Sequence, residues 1–383
     1  MKSWIRALSK EAWAPAMACA VAALGAASVS AQEFRARQGS TVTLGARVQA
    51  QFEASGSDDT PSSFFIRRAW VTIDGRLNDW VSARAQYDIN GDKVLEAYLA
   101  LNASDNVQFQ LGQFKRAIST FWLAANFDLP LIERDGRVPD VPSCPGLRNI
   151  CSFGALTGGL GLDGYEPGIL LNGRFSDRAS LRVTLTNGEG INGKDRNSAK
   201  STSARLTLGV GSNSRFHAYT VLDETVGRRD ETKWVPAYGL EYELGGWRDG
   251  LHLLVSGVRG RNWRAEASAL DDTDQASFMA FQGMALWYKP LSGDGFEAIE
   301  PLLRVSWATS QTGDNLFEGD IVVNNDMNGL LITPGFMLYA TGRTGISTNL
   351  DIYTSSLTVG EGAYENDTSG PDWSLRVQAF VAF

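Results

Sequence analysis

What this 383-residue chain lacks narrows it first. Past its first thirty or so residues, no window holds about 18 consecutive apolar residues, so no later segment can cross a bilayer as a helix. Helical periodicity is almost absent. Only two histidines occur, His217 and His252, and no spacing gives them the carboxylates a metal cluster needs. Neither sits in a nucleophile-and-base constellation, so an enzyme is not the reading, and no cofactor is called for. Positive charge is also short. With 35 Lys and Arg against 43 Asp and Glu, the formal charge of −8 argues against a nucleic-acid partner, although it says nothing about a local basic channel.

What is present begins with "MKSWIRALSKEAWAPAMACAVAALGAASVSAQ". Lys2, Arg6 and Lys10 precede an alanine-rich apolar run that ends in Val29-Ser30-Ala31, which reads as a secretory signal peptide over residues 1–31. Residues 32–383 then form a single domain. Without the leader, 32 basic residues face 42 acidic ones and the charge becomes −10. Two cysteines remain in the exported part, Cys144 and Cys151 in "CPGLRNIC", and export together with close spacing predicts a disulfide. Its closed loop is short, so loop-closure entropy gives it only roughly 2.5 kcal/mol. It pins a loop rather than a fold.

From Gln32 onward the sequence alternates with period two, segment after segment, each ending in turn residues. Residues 41–54 put Val42, Leu44, Ala46, Val48, Ala50 and Phe52 on one face, and Thr43, Arg47, Gln49, Gln51 and Glu53 on the other. A soluble sheet would bury the second face at heavy cost. A membrane barrel reverses the arrangement, apolar outside and polar inside. Connections alternate too: "LNDW", "ASDN" and "TGRT" are tight, whereas "EGINGKDRNSAKS" and "RNWRAEASALDDTDQAS" are long. The last segment, "PDWSLRVQAFVAF", alternates outward-facing apolar residues and stops on Phe383, as outer-membrane barrels do. These features predict an all-β fold, a transmembrane antiparallel β-barrel of about 16 strands in the outer membrane of a Gram-negative bacterium.

One connection breaks the pattern. About fifty residues, 115–166, lie between neighbouring strands, far more than an ordinary loop needs. Phe121, Trp122, Leu123 and Phe127 within it require burial. The expected place is the barrel interior, with the cysteine pair clipping the return limb; an external lid or a latch between subunits is the alternative.

The motifs "IRRAWVTIDGRL", "VSARAQYDI", "LEAYLALN", "VQFQLGQFKRAIS" and "LIERDG" resemble the phosphate-selective porins O and P. The similarity is strongest over residues 64–137, and the barrel pattern continues to Phe383. It implies a homotrimer of sixteen-stranded channels, embedded in outer-membrane lipid and lined by arginine and lysine, that pass phosphate or related anions. Carried across, Arg67 and Arg68 match the paired arginines at the start of the second strand, Lys115 and Arg116 the basic pair after "LGQF", and Glu133-Arg134 the "IER" of the long loop. The acidic clusters Asp58-Asp59 and Asp271-Asp272-Asp274 depart from that picture and would repel anions at the mouth.

Inward parity in the first three strands and the last, which close against one another, gathers Arg47, Arg68, Arg84 and Arg376 into a basic wall. With Lys115, Arg116 and Arg134 they are the candidate channel lining, opposed nearby by Asp74, Asp88 and Glu96. By the same parity Arg67 faces the barrel exterior or rim. The expected function is a passive channel for small anions such as phosphate. The alternatives are a porin for sugars, carboxylates or solutes in general, and a non-conducting barrel that serves as adhesin or anchor.

Overall fold

The structure, a computed structural model, describes residues 32–35, 40–125, 128–226, 232–265, 276–293, 295–311, 316–317, 321–322, 325–359 and 367–383. The leader, Phe127 and the Asp271-Asp272-Asp274 cluster lie outside them.

Sixteen strands carry the fold. They are β1 Thr41–Ser55, β2 Ser63–Arg76, β3 Val81–Asp88, β4 Lys93–Ser104, β5 Val107–Lys115, β6 Tyr165–Ser176, β7 Ala179–Thr186 and β8 Ser201–Val210. The second half runs β9 Ser214–Val226, β10 Thr232–Gly246, β11 Asp249–Arg261, β12 Ser277–Trp287, β13 Ala298–Ser310, β14 Asn325–Thr341, β15 Thr344–Val359 and β16 Asp367–Ala382. Every strand pairs antiparallel with its neighbours in sequence, and β1 pairs with β16, Ala50 opposite Ala379, so the sheet closes. Closure matters in lipid because an open edge would leave backbone N–H and C=O groups with no partner. The expected alternation holds around β1: Leu44 and Val48 are exposed on the outside while Arg47, Gln49 and Gln51 are buried inside. Tight turns gather at the end that holds the C-terminus and the start of β1; the long connections lie at the other.

The long connection, residues 116–164, folds into the barrel as expected. Two short helices shape it, α1 Thr120–Leu123 and α2 Phe153–Gly159, each N-capped by a serine hydroxyl that accepts from a backbone amide of the first turn. Ile118, Phe121, Phe153 and Leu156 are fully buried against Tyr219, Val221, Leu254, Val258, Phe278 and Met284 of β9 to β12. These wall residues occupy inward positions. On this side the inward face carries an apolar patch among its polar residues, a departure from the polar interior predicted from the alternation. At roughly 25 cal/mol per Å² of apolar surface removed from water, that patch helps to hold the loop inside. The Cys144–Cys151 bond is formed, and both cysteines belong to the same buried cluster. Gly136 lets the chain lie close to the opposite stretch of wall: it adopts a φ of 72°, and a Cβ there would stand 2.4 Å from Leu331 Cδ2.

The parity reading of Arg67 is overturned. Gln49 pairs with Arg68 and the next residue, Ala50, pairs with Ile66, so Arg67 is the extra residue of a β-bulge. Before the bulge Phe64 and Ile66 are exposed on the outside; after it the outward positions shift by one, and both arginines turn inward. A regular strand cannot send neighbours to one face, but a bulge can.

Candidate functional site

The loop packs along the wall from β8 round to β16, and the cavities left beside it lie along β1 to β8. Its anchors are arginines. Arg304 and Arg376, both fully buried, share Asp351 at 3.0 Å and 2.6 Å. Arg304 Nη1 donates to the loop carbonyls of Glu133 and Arg134, and Arg376 Nη2 to that of Arg137. Farther along, Arg116 is buried with Asp223 at 3.1 Å and the Gly161 carbonyl, while Arg205 bonds Glu241 and the Ile118 carbonyl. The lining role expected of Arg116 and Arg376 thus does not match their positions: neither side chain has exposed surface, and each secures the loop or the wall. Burial of unpaired charge is so unfavourable that such guanidiniums are found bonded on several sides.

Beside the passage Glu133, from the loop, receives Arg67 as a fork, Nε to Oε1 at 2.5 Å and Nη2 to Oε2 at 3.0 Å, with Arg68 Nη2 at 3.8 Å. Arg68 also donates to Gln49. Burial pushes the Glu133 carboxyl up, but the Arg67 hydrogen bond and the charges of Arg68 and Arg67 outweigh it and hold the carboxyl below its usual range. Arg134 is turned away from this point. It donates to the Phe121 and Ala124 carbonyls and lies 5.4 Å and 5.6 Å from the Phe121 and Trp122 ring centres; burial lowers its pKa to about 10.

Below Glu133, toward the short-turn end, opens a cavity of about 530 Å³ lined by Arg47, Arg84, Lys115 and Arg343, by Asp74 and Glu96, and by Trp70, Leu123 and Tyr165. Arg84 is engaged by Asp74 at 2.7 Å and Glu96 at 3.3 Å. Arg47 stacks on Trp70, its guanidinium carbon 4.9 Å from the ring centre. Lys115 donates to the Trp122 and Ala124 carbonyls and lies 5.0 Å from the Trp122 ring. Continuing outward, a cavity of about 910 Å³ carries Arg174, Arg182 and Arg205 against Asp79 and Asp105. On the long-loop side a third, about 930 Å³, is lined by Arg67, Arg137 and Arg148 against Glu53, Glu133, Asp135 and Asp140. Of the predicted lining, then, Arg47, Arg84 and Lys115 share one cavity, Arg68 faces the Glu133 clamp, and Arg116, Arg134 and Arg376 support the structure. Arg343 and Glu133 were not foreseen as channel groups. The first sits in a tight turn, where parity gives no guidance.

Both histidines flank Glu243, His217 Nε2 at 3.2 Å and His252 Nε2 at 3.1 Å, with Arg215 at 3.2 Å. A carboxylate partner exists after all. It was hidden because the three residues come from adjacent strands β9, β10 and β11, His217 and His252 standing 26 and 9 residues from Glu243, and only the strand register brings them together.

A closed sixteen-stranded barrel narrowed by an in-folded loop defines an outer-membrane porin. The family model described as phosphate-selective porin O and P matches residues 42–212, in agreement with the motifs of residues 64–137. No curated protein matches the chain. Among solved structures it is similar to the outer-membrane channel DcaP of Acinetobacter baumannii, with 14% identity, a TM-score of 0.60, and coverage of 91% of this chain and 99% of that one. It is also similar to the trimer form of OmpT of Vibrio cholerae, at 9% identity and a TM-score of 0.58 over 90% and 99%. A third is the anion-selective porin from Comamonas acidovorans, 13% identical with a TM-score of 0.54 over 90% and 100%.

Proposed function

We propose that the channel passes small anions in preference to cations, phosphate and related oxyanions among them, and that it works as a homotrimer. The observation that carries this reading is the charge balance below the Glu133 clamp. There four cations, Arg47, Arg84, Lys115 and Arg343, face two carboxylates, and the next cavity adds three arginines against two. Arginine and lysine arranged in series raise the local anion concentration, and several weak sites let an ion leave as readily as it enters. The guanidinium fork also matches an oxyanion. A trimer form is known for the Vibrio cholerae OmpT, and anion selectivity is stated for the Comamonas acidovorans porin; both agree with the reading.

The test is the zero-current potential of single channels in a planar bilayer across a tenfold KCl gradient, followed by competition of the chloride current with phosphate. Anion preference is the expected sign, with phosphate reducing the chloride current. Cation preference would end this reading. A folded barrel that conducts nothing would instead favour an adhesin or anchor.

A further inference from the structure

The cavity beneath the clamp is built for more than a bare ion. Its cations stand beside aromatic and aliphatic surface: Trp70 from β2, Tyr165 from β6, and Leu123 and Ala125 from the loop all border the same space as Arg47 and Lys115. The Trp70 side chain is 92% buried, being 8% exposed, yet its Nε1 has no acceptor among the described residues. An indole N–H is a donor only, and leaving one buried without an acceptor is unfavourable. Lys115 has three ammonium protons, and two carbonyls, of Trp122 and Ala124, accept from it. The third ammonium proton and the cavity's guanidiniums draw an incoming anion, whereas the indole Nε1 is closed off and Trp70 offers the cavity only its ring. An inorganic oxyanion could satisfy those cations, but it would leave the Trp70, Tyr165 and Leu123 surfaces unused, and it is small for about 530 Å³, a volume typical of sites for organic molecules.

We infer that this cavity is a binding site for a carboxylate that carries a flat apolar body, an aromatic acid in the simplest case. The carboxylate oxygens meet Lys115 and Arg47, and the ring lies among Trp70, Tyr165, Leu123 and Ala125. The inference rests on the anion-channel reading and narrows it to a substrate class.

Benzoate, acetate and phosphate, added separately to the side of the short turns, are titrated against the chloride current of the whole protein in a planar bilayer. Benzoate is expected to half-block at a concentration at least tenfold below that of acetate. Replacing Trp70→Ala should bring the two acids to within about threefold of each other. If that variant does not fold to a heat-modifiable barrel, Leu123→Asn, on the loop side of the cavity, supplies the same comparison. An anion-selective channel that benzoate and acetate block alike overturns the aromatic site and leaves the anion reading standing. A cation-selective channel overturns both.

Discussion

Two carboxyls on the loop behave in opposite ways, and each can be read through a single substitution. Glu133 neutralises Arg67 and Arg68 beside the passage. Replacing Glu133→Gln removes one negative charge there; for an ion about 7 Å away in a watery pore, Coulomb's law gives about 0.6 kcal/mol, a threefold change. The anion-to-cation permeability ratio taken from the zero-current potential should rise at least about threefold, and an unchanged potential would show that the clamp lies off the ion path. Asp163 is the contrary case. Burial raises its carboxyl to about 6, so the native state holds that proton more tightly than the unfolded chain, whose value is near 3.8. Stability from this group therefore falls as pH rises from about 4 to 6, and the loss persists above. Asp163→Asn can keep the acceptor that Thr157 Oγ1 uses at 2.8 Å and removes the charge. The variant's thermal midpoint should exceed that of the native protein at pH 8 and converge with it at pH 4; parallel curves would sink the argument.

At the scale of elements, the loop depends on one carboxylate shared by two strands' arginines. Removing the charge by Asp351→Asn leaves Arg304 and Arg376 buried without their common partner, a change that costs about 3–5 kcal/mol. Both guanidiniums hold loop carbonyls, so the loop, rather than the barrel, should give way. Unit conductance is expected to increase while the protein still migrates as a heat-modifiable barrel; a variant with native conductance would show that the apolar contacts of Phe121, Phe153 and Leu156 suffice alone. The strands themselves were legible because period-two alternation is a local signal, and the disulfide because export and spacing decide it. The bulge was not, since one inserted residue reverses parity and nothing in the residue types marks the spot, except that "RR" in a strand asks for one. The docking wall had a signal that went unread: "LHLLVSGV" and "FMAFQGMALW" carry Leu254, Val258, Phe278 and Met284 on the lumen parity, and an apolar inward face must be covered by something. Ion pairing inside the lumen was beyond reach. Whether Arg84 lines a channel or is held by Asp74 and Glu96 depends on side-chain distances, which parity does not contain.

For the whole molecule, the balance of sign along the passage counts for more than its sum. The cavity on the long-loop side sets Glu53, Glu133, Asp135 and Asp140 against three arginines, whereas those toward the short turns have cations in excess. A channel negative at one end and positive at the other does not conduct equally in both directions. When the field drives anions toward the positive end and cations toward the negative end from outside, each meets a welcoming mouth, ions accumulate, and the current is large. Under the opposite polarity both carriers are drawn out and the pore is depleted. Screening sets the conditions under which this asymmetry shows. At 0.1 M salt fixed charges reach about 10 Å and at 1 M only about 3 Å. Currents through a channel inserted in one orientation should therefore rectify at 0.1 M KCl, with at least a 1.5-fold difference between +100 and −100 mV as an order-of-magnitude expectation, and become symmetric at 1 M. In Glu133→Gln the rectification should weaken, because the cavity on the long-loop side loses one of its four carboxylates. A current that is symmetric at low salt, or rectification that persists at 1 M, would mean that the moving ion does not sense the two ends in turn, and the selectivity would then have to come from the Glu133 flank alone.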